Sequence, residues 1–190
     1  MTSLKPVTVL YRRKRQGQTQ YKKRLALLLS RQPRLVVRVT NQKIIAQVVE
    51  FNSTADKVIL GVDSFALRKL GWHYSCKNLP AAYLTGLLLG KKTKSKGYTQ
   101  AVLDTGARTP LRQGKIYAFL KGIVDAGLQV PYGDKSIFPS PERISGKHIQ
   151  DFAASLPLEK RGGQFTQYLK SNQPPEKITA EFEQLRKKLL

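Results

Sequence analysis

No Asp or Glu occurs in the first 49 residues, which carry 12 Lys and Arg; the earliest carboxylate is Glu50. One-signed charge at that density repels itself unless a polyanion neutralises it, so the missing acid describes the partner. Cysteine is scarce as well, and Cys76, standing alone, excludes an intrachain disulfide. Together with His73 and His148 it makes too small a set for an ordinary structural zinc site, so no metal or other cofactor is expected and Cys76 is read as buried. Long apolar runs are also missing. Leu25-Ala26-Leu27-Leu28-Leu29 lies between Lys22-Lys23-Arg24 and Arg31, and it falls far short of the about 20 residues a membrane span needs. No small-residue cleavage site follows it, which argues against a secretory leader, and a soluble intracellular protein is expected.

What is present is mostly cationic. Across 190 residues, 34 Lys and Arg face 12 Asp and Glu for a formal charge of +22, which makes RNA, DNA or an anionic membrane face the default partner. With 41% hydrophobic residues the chain can bury one core and carry extensions. Three segments are expected: a basic arm and helix over 1–32, an α/β core over 33–130, and a proline-punctuated extension over 131–190.

In the arm, Tyr11-Arg12-Arg13-Lys14-Arg15 is the densest cluster, and a segment to Gly17 with so little apolar surface is expected to order on its partner. From Thr19 or Gln20 to Ser30 the period turns helical, with Tyr21, Leu25, Leu28 and Leu29 on one side and Lys22, Lys23 and Arg24 mostly on the other. Leu35–Thr40 and Ile44–Phe51 read as a β-hairpin joined through Thr40-Asn41-Gln42-Lys43, and Lys57–Val62 reads as a third strand. Alternation places Leu35, Val37 and Val39 on the core face and leaves Arg38 on the other.

Asn78 and Pro80 open a helix whose apolar face includes Ala81, Ala82, Leu84, Thr85, Leu88 and Leu89, and Gly90 with the basic run Lys91–Gly97 is expected to end it. Gly86 inside it implies close approach to the sheet. Gln100–Asp104 reads as a fourth strand, and Lys115–Ala126 as an amphipathic helix capped near Gly127. The order β-β-β-α-β-α defines an α/β fold with a mixed sheet of about four strands packed with helices. The extension is expected to wrap the domain or a partner and to end in a charged helix from about Thr179 to Leu189.

Three enzyme-like patterns fail on chemistry. Asp104-Thr105-Gly106 looks like an aspartic protease loop, but one copy leading into a helix lacks the second carboxylate that such catalysis requires. Asp63, Asp104 and Asp125 could be imagined as a two-metal nuclease triad, yet none has another carboxylate within a few residues. Gly86-Leu87-Leu88-Leu89-Gly90-Lys91-Lys92 lacks the Gly-Lys-Ser or Gly-Lys-Thr of a phosphate-binding loop. The positive case is cations interleaved with aromatic rings, a pattern that suits phosphates and unstacked bases. Tyr11 and Tyr21 lie beside Arg12, Arg13 and Lys22, Trp72 and Tyr74 lie beside Lys69 and Lys77, and further cations stand at Arg38, Lys43, Lys91, Lys92 and Lys94. No helix-turn-helix or leucine-zipper pattern accompanies them, which favours irregular RNA over a DNA groove.

The combination resembles the ribosomal protein L18 family of the large subunit, in its archaeal and eukaryotic form. The matching stretches are Tyr21-Lys22-Lys23-Arg24-Leu25, Arg34–Asn41, Gly71-Trp72, Lys77–Gly86, Leu103-Asp104-Thr105-Gly106, Pro139 and Arg143–Ile149, which together cover essentially the whole chain. The resemblance implies a non-catalytic constituent that binds 5S ribosomal RNA and anchors it in the central protuberance, beside the L5 protein and with 23S RNA nearby. It implies a cytoplasmic, ribosome-bound location, and the modest tail favours an archaeal source. It implies RNA contacts at Arg12, Arg13, Lys14, Arg15, Tyr21, Lys22, Arg24, Arg38, Asn41 and Lys43, to which the charge pattern adds Trp72, Lys91, Lys92 and Lys94. A free-standing RNA chaperone or processing factor is the alternative.

Overall fold

The computed structural model describes residues 8–157 and 163–190. Two Val- and Ile-rich runs form β1 (Arg34–Val39) and β2 (Ile44–Glu50), paired antiparallel from Val39 opposite Ile44 to Arg34 opposite Val49. The turn between them closes on Thr40, whose hydroxyl donates to the Lys43 carbonyl at 2.7 Å and accepts the Lys43 N–H at 3.0 Å. β3 (Lys57–Asp63) pairs antiparallel with β2, with a bulge at Val48/Val49. β4 (Val102–Asp104) joins β1 in parallel, giving a mixed sheet in the order β3-β2-β1-β4. Regular pairing in this last strand is shorter than the expected Gln100–Asp104. Ala101 N–H donates to Gln129 and Val102 N–H to Pro33, so the chain passes its hydrogen bonds from one neighbour to the other at that point.

The period-2 alternation divides the sheet into two unlike faces. Leu35, Val37, Ile44, Ala46 and Val48 are buried beneath α3 (Leu79–Ser95) and α4 (Lys115–Asp125). Arg34, Val36, Arg38, Gln47 and Val49 point to the other side, where α1 (Arg12–Arg15) and α2 (Tyr21–Leu29) lie. Between β3 and α3, a 3-10 turn over Ser64–Leu70 is capped by Asp63, which accepts the Ala66 N–H, and it ends at Gly71.

α3 starts where the sequence places it, with the Asn78 side chain accepting the Ala81 N–H at 2.9 Å. It continues past Gly90 to Ser95, further than expected, because Gly90 is a contact with α4 and Thr93 is buried with its hydroxyl on the Leu89 carbonyl. Cations in the last turn suit the helix dipole, so the lysine run extends the helix. Gly86 also serves α4 and not the sheet. A Cβ at Gly86 would lie 2.1 Å from the Phe119 carbonyl oxygen, and one at Gly122 would lie 2.2 Å from that of Tyr83. The two backbones therefore cross in direct contact.

The extension contributes α5 (Pro141–Ser145), α6 (Lys147–Ser155), α7 (Thr166–Lys170) and α8 (Ile178–Leu189), the last close to its expected bounds. Ile144, Ile178, Phe182, Leu185 and Leu189 join the same apolar core as the sheet and α3. Tyr74 donates its hydroxyl to the Pro174 carbonyl at 2.7 Å, and burial pushes that phenol up to about 12.

Candidate nucleic-acid interface

The arm is fastened to the outer sheet face by a chain of ion pairs centred on Arg34. This guanidinium is almost wholly buried and donates to Asp104 at 2.9 Å and to Asp56 at 2.6 Å. Asp56 in turn accepts from Arg24 on α2 at 2.9 Å, and Lys23 on the same helix reaches the Thr105 hydroxyl at 2.8 Å. Burial alone would raise the Asp56 carboxyl, but hydrogen bonds from Arg24 and Arg34 outweigh it and hold the group below the usual carboxylate range. The bond to Asp56 likewise raises Arg24. Asp104 completes the turn after β4 by accepting the Gly106 N–H at 2.7 Å. Its carboxylate is therefore committed to holding β1, β4 and the following turn together.

Beyond this anchor the cations are open to solvent. Arg12, Arg13, Lys14 and Arg15 are all exposed, and among the described residues no carboxylate pairs with them. Arg13 is oriented by donation to the Thr19 hydroxyl at 2.8 Å, and the Tyr11 and Tyr21 rings lie 5.2 Å apart between the two helices. Arg38 is half-exposed, held by its own strand through the Val37 carbonyl and across to the Asp104 carbonyl at 3.1 Å. Gly106 is what leaves it room, since a Cβ there would stand 2.9 Å from the guanidinium. A cleft of about 250 Å³ between arm and sheet is lined by Arg13, Lys23, Arg34, Arg38, Gln47 and Asp104. At the hairpin turn Asn41 is exposed, while Lys43 pairs with Asp63 at 2.6 Å and lies over the Phe65 ring. That pairing, led by the hydrogen bond, lowers the Asp63 carboxyl.

Of the residues expected to contact RNA, Arg13 and Arg38 line the cleft between arm and sheet, Arg12, Lys14 and Arg15 stand on α1, Tyr21 and Lys22 on α2, and Asn41 and Lys43 in the turn between β1 and β2. Arg24 sits in the same region but is turned inward to Asp56. Trp72 does not belong to this surface: it is fully buried, its indole N–H donates to the Ser75 carbonyl and its ring meets Tyr74 edge-on, so no face is free for a base. Lys91, Lys92 and Lys94 lie on the last turns of α3. Lys92 shares a surface hollow with Lys43, Gln47 and Asp63, whereas Lys94 lies beside Gly127 at the end of α4.

The inward face of α2 differs from the expected one. Lys23, Arg24, Leu27 and Leu28 are half-buried, while Leu25 and Leu29 are 61% and 73% exposed. An ion pair and a hydrogen bond select the rotation, because burying Leu25 and Leu29 would take Arg24 from Asp56 and Lys23 from Thr105. Sequence reasoning missed Lys23, Arg34, Asp56 and Arg108, the last of which donates to the Val39 carbonyl beside the hairpin turn at 3.0 Å. Arg34 had a signal in its parity with Arg38 on β1. Asp56, the first carboxylate after Glu50 in a basic region, was the other.

The carboxylates of the imagined nuclease triad are occupied separately, Asp63 by Lys43, Asp104 by Arg34, and Asp125 by Lys121 and the Tyr83 hydroxyl. Cys76 is buried, and desolvation raises its thiol. Among the described residues no group of three His, Cys, Asp or Glu is placed to hold a metal ion. The geometry suits binding of phosphates by a hydrogen-bonded sheet face that carries exposed Arg and Lys side chains.

Comparison with known proteins agrees with this chemistry. Residues 5–99 match the family described as ribosomal large subunit proteins 60S L5 and 50S L18. A curated relative, the large ribosomal subunit protein uL18 of Korarchaeum cryptofilum (strain OPF8), is 47% identical over 178 residues, which cover 92% of this chain and 90% of the relative.

Proposed function

Since the chain belongs to the L18/L5 family of large-ribosomal-subunit proteins, in its archaeal form, we propose that it binds 5S ribosomal RNA through the arm and outer sheet face and anchors that RNA in the central protuberance. Family membership makes it a ribosomal constituent and not an enzyme. Its partners are ribosomal RNA and ribosomal proteins, and it works as part of the cytoplasmic ribosome.

The observation that carries the 5S reading is the contrast between two sets of cations. Arg34 and Arg24 are neutralised by Asp56 and Asp104 and fix the arm, while Arg12, Arg13, Lys14 and Arg15 remain open above them and Arg38, exposed at the edge of this anchor, stands 4.0 Å from Asp104. A rigid base with an open cationic rim positions phosphates without reading a regular groove. Contacts to 23S RNA and to the L5 protein belong to the same proposal, with Lys91, Lys92 and Lys94 as a second cationic area for RNA outside the arm.

Arg38→Ala tests the reading at one side chain. It is expected to lower 5S RNA affinity by about tenfold, the usual scale for a hydrogen bond to a charged group, with a modest loss of thermal stability from its bonds to the Val37 and Asp104 carbonyls. Titration of labelled 5S RNA with equal-length unrelated RNA as competitor reads both affinity and selectivity. Equal binding of the two RNAs would contradict the 5S assignment.

A further inference from the structure

β4 ends before β1 does. Its last paired residue, Asp104, stands level with Val36, and the Val102 N–H donates to the Pro33 carbonyl on the edge of β1 that faces it. Backbone alternation puts the carbonyls of Val37 and Val39 on that same edge, about 7 Å apart. A longer β4 would serve Val37 with the Gly106 N–H, but this N–H turns back to the Asp104 carboxylate at 2.7 Å. The two carbonyls must therefore find other donors.

Two guanidiniums supply them. Arg38 folds back on its own strand, where Nη1 donates to the Val37 carbonyl at 2.8 Å and to the Asp104 carbonyl at 3.1 Å. Arg108, from the turn after β4, donates through Nη1 to the Val39 carbonyl at 3.0 Å. These acceptors are neutral carbonyls, so both side chains are oriented without being neutralised. Asp104 is the carboxylate beside them, 4.0 Å from Arg38, and its oxygens are already taken by Arg34 and the Gly106 N–H. Among the described residues no carboxylate pairs with Arg108, which is exposed. A guanidinium carries five N–H donors, and these bonds use one nitrogen of each.

The turn is built around the pair. The Thr105 hydroxyl donates to the Arg108 carbonyl at 2.9 Å and accepts from Lys23 of α2 at 2.8 Å, so it holds the Arg108 backbone and draws in a third cation. Gly106 has φ +65°, and a Cβ there would stand 2.9 Å from an Arg38 nitrogen and 3.1 Å from the guanidinium carbon. No aromatic ring lines the adjoining cleft, so the arrangement offers charge and forked donors but no stacking surface.

We propose that Arg38 and Arg108 form a seat for a backbone phosphate of the bound RNA, with Thr105 and Gly106 as its positioning residues. The inference rests on the outer sheet face being the RNA-binding surface. It adds Arg108 as a contact residue and gives Thr105 and Gly106, in the turn that looks like a protease loop, a role in binding.

The test is titration of labelled 5S RNA with the full chain over a range of salt concentrations, with circular dichroism confirming the fold of every variant. Arg108→Ala is expected to weaken binding about tenfold and to make the slope of log affinity against log salt shallower by about 0.7–0.9, one phosphate contact. Unchanged affinity, or weaker binding with an unchanged slope, would overturn the seat. Gly106→Ala is expected to weaken binding about as much as Arg38→Ala does, and by less than about twofold in a chain that already carries Arg38→Ala. Losses that simply multiply would show that Gly106 does not act through Arg38. Thr105→Ser is expected to bind like the unsubstituted chain and Thr105→Val about threefold more weakly, and equal weakening by both would remove Thr105 from its role. No preference of the unsubstituted chain for 5S RNA over unrelated RNA of equal length would overturn the 5S reading and the seat with it, whereas a normal preference with an unaffected Arg108→Ala variant counts against the seat alone.

Discussion

Arg34 is a buried structural cation in the basic half of the chain and is not open to a partner. Its side chain is 4% exposed and bridges two carboxylates that come from β4 and from the loop before β3. Removing one member of a buried ion pair leaves an uncompensated charge, so Arg34→Ala is expected to cost about 3–5 kcal/mol in chemical denaturation. Asp56 adds a pH signature. Its carboxyl is depressed in the folded protein, so its contribution is fully present at neutral pH and is lost as pH falls through the folded value, below about pH 4. Asp56→Asn should therefore flatten the acid limb of a stability-versus-pH curve. An acid limb identical to that of the unsubstituted protein would show that the bridge contributes nothing.

At the scale of elements, the junction of α3 and α4 and the orientation of α2 follow different rules. The helix pair is governed by sterics, with Gly86 and Gly122 each against the partner's backbone carbonyl. Gly86→Ala would force the helices apart and is expected to cost about 1–3 kcal/mol or more, read as a lowered melting temperature. The rotation of α2 is governed by polar partners, Asp56 just before β3 and Thr105 just after β4, which select the face that holds Lys23 and Arg24. Local periodicity made the hairpin, the start of α3, α4 and the final helix legible, because each rests on its own apolar spacing and caps. The inward face of α2 was not legible, since an apolar stripe of Tyr21, Leu25, Leu28 and Leu29 gave no sign of partners 32 and 82 residues away. Trp72 misled for the converse reason: neighbouring Lys69 and Lys77 suggest a stacking platform, but the Ser75 carbonyl satisfies its only polar group and lets the ring enter the core. Cations in the arm were legible because no carboxylate exists nearby in sequence to neutralise them.

The whole molecule combines one apolar core with a cationic arm and outer sheet face. Its acid-free beginning continues into β1 and β2, so the cationic stretch ends inside folded structure and the arm's force is transmitted to a rigid body. On this account the arm and outer sheet face bind phosphate, and the fold exists to hold them in register. Each phosphate contact releases counterions and contributes about 0.7–0.9 to the slope of log affinity against log salt. The most direct measurement is therefore the salt dependence of 5S RNA binding for the full chain and for a chain with Arg12, Arg13, Lys14 and Arg15 all changed to Ala, with circular dichroism confirming that both are folded. The account predicts weaker binding and a slope shallower by about 3 for the substituted chain. Equal affinity and equal slope would contradict it.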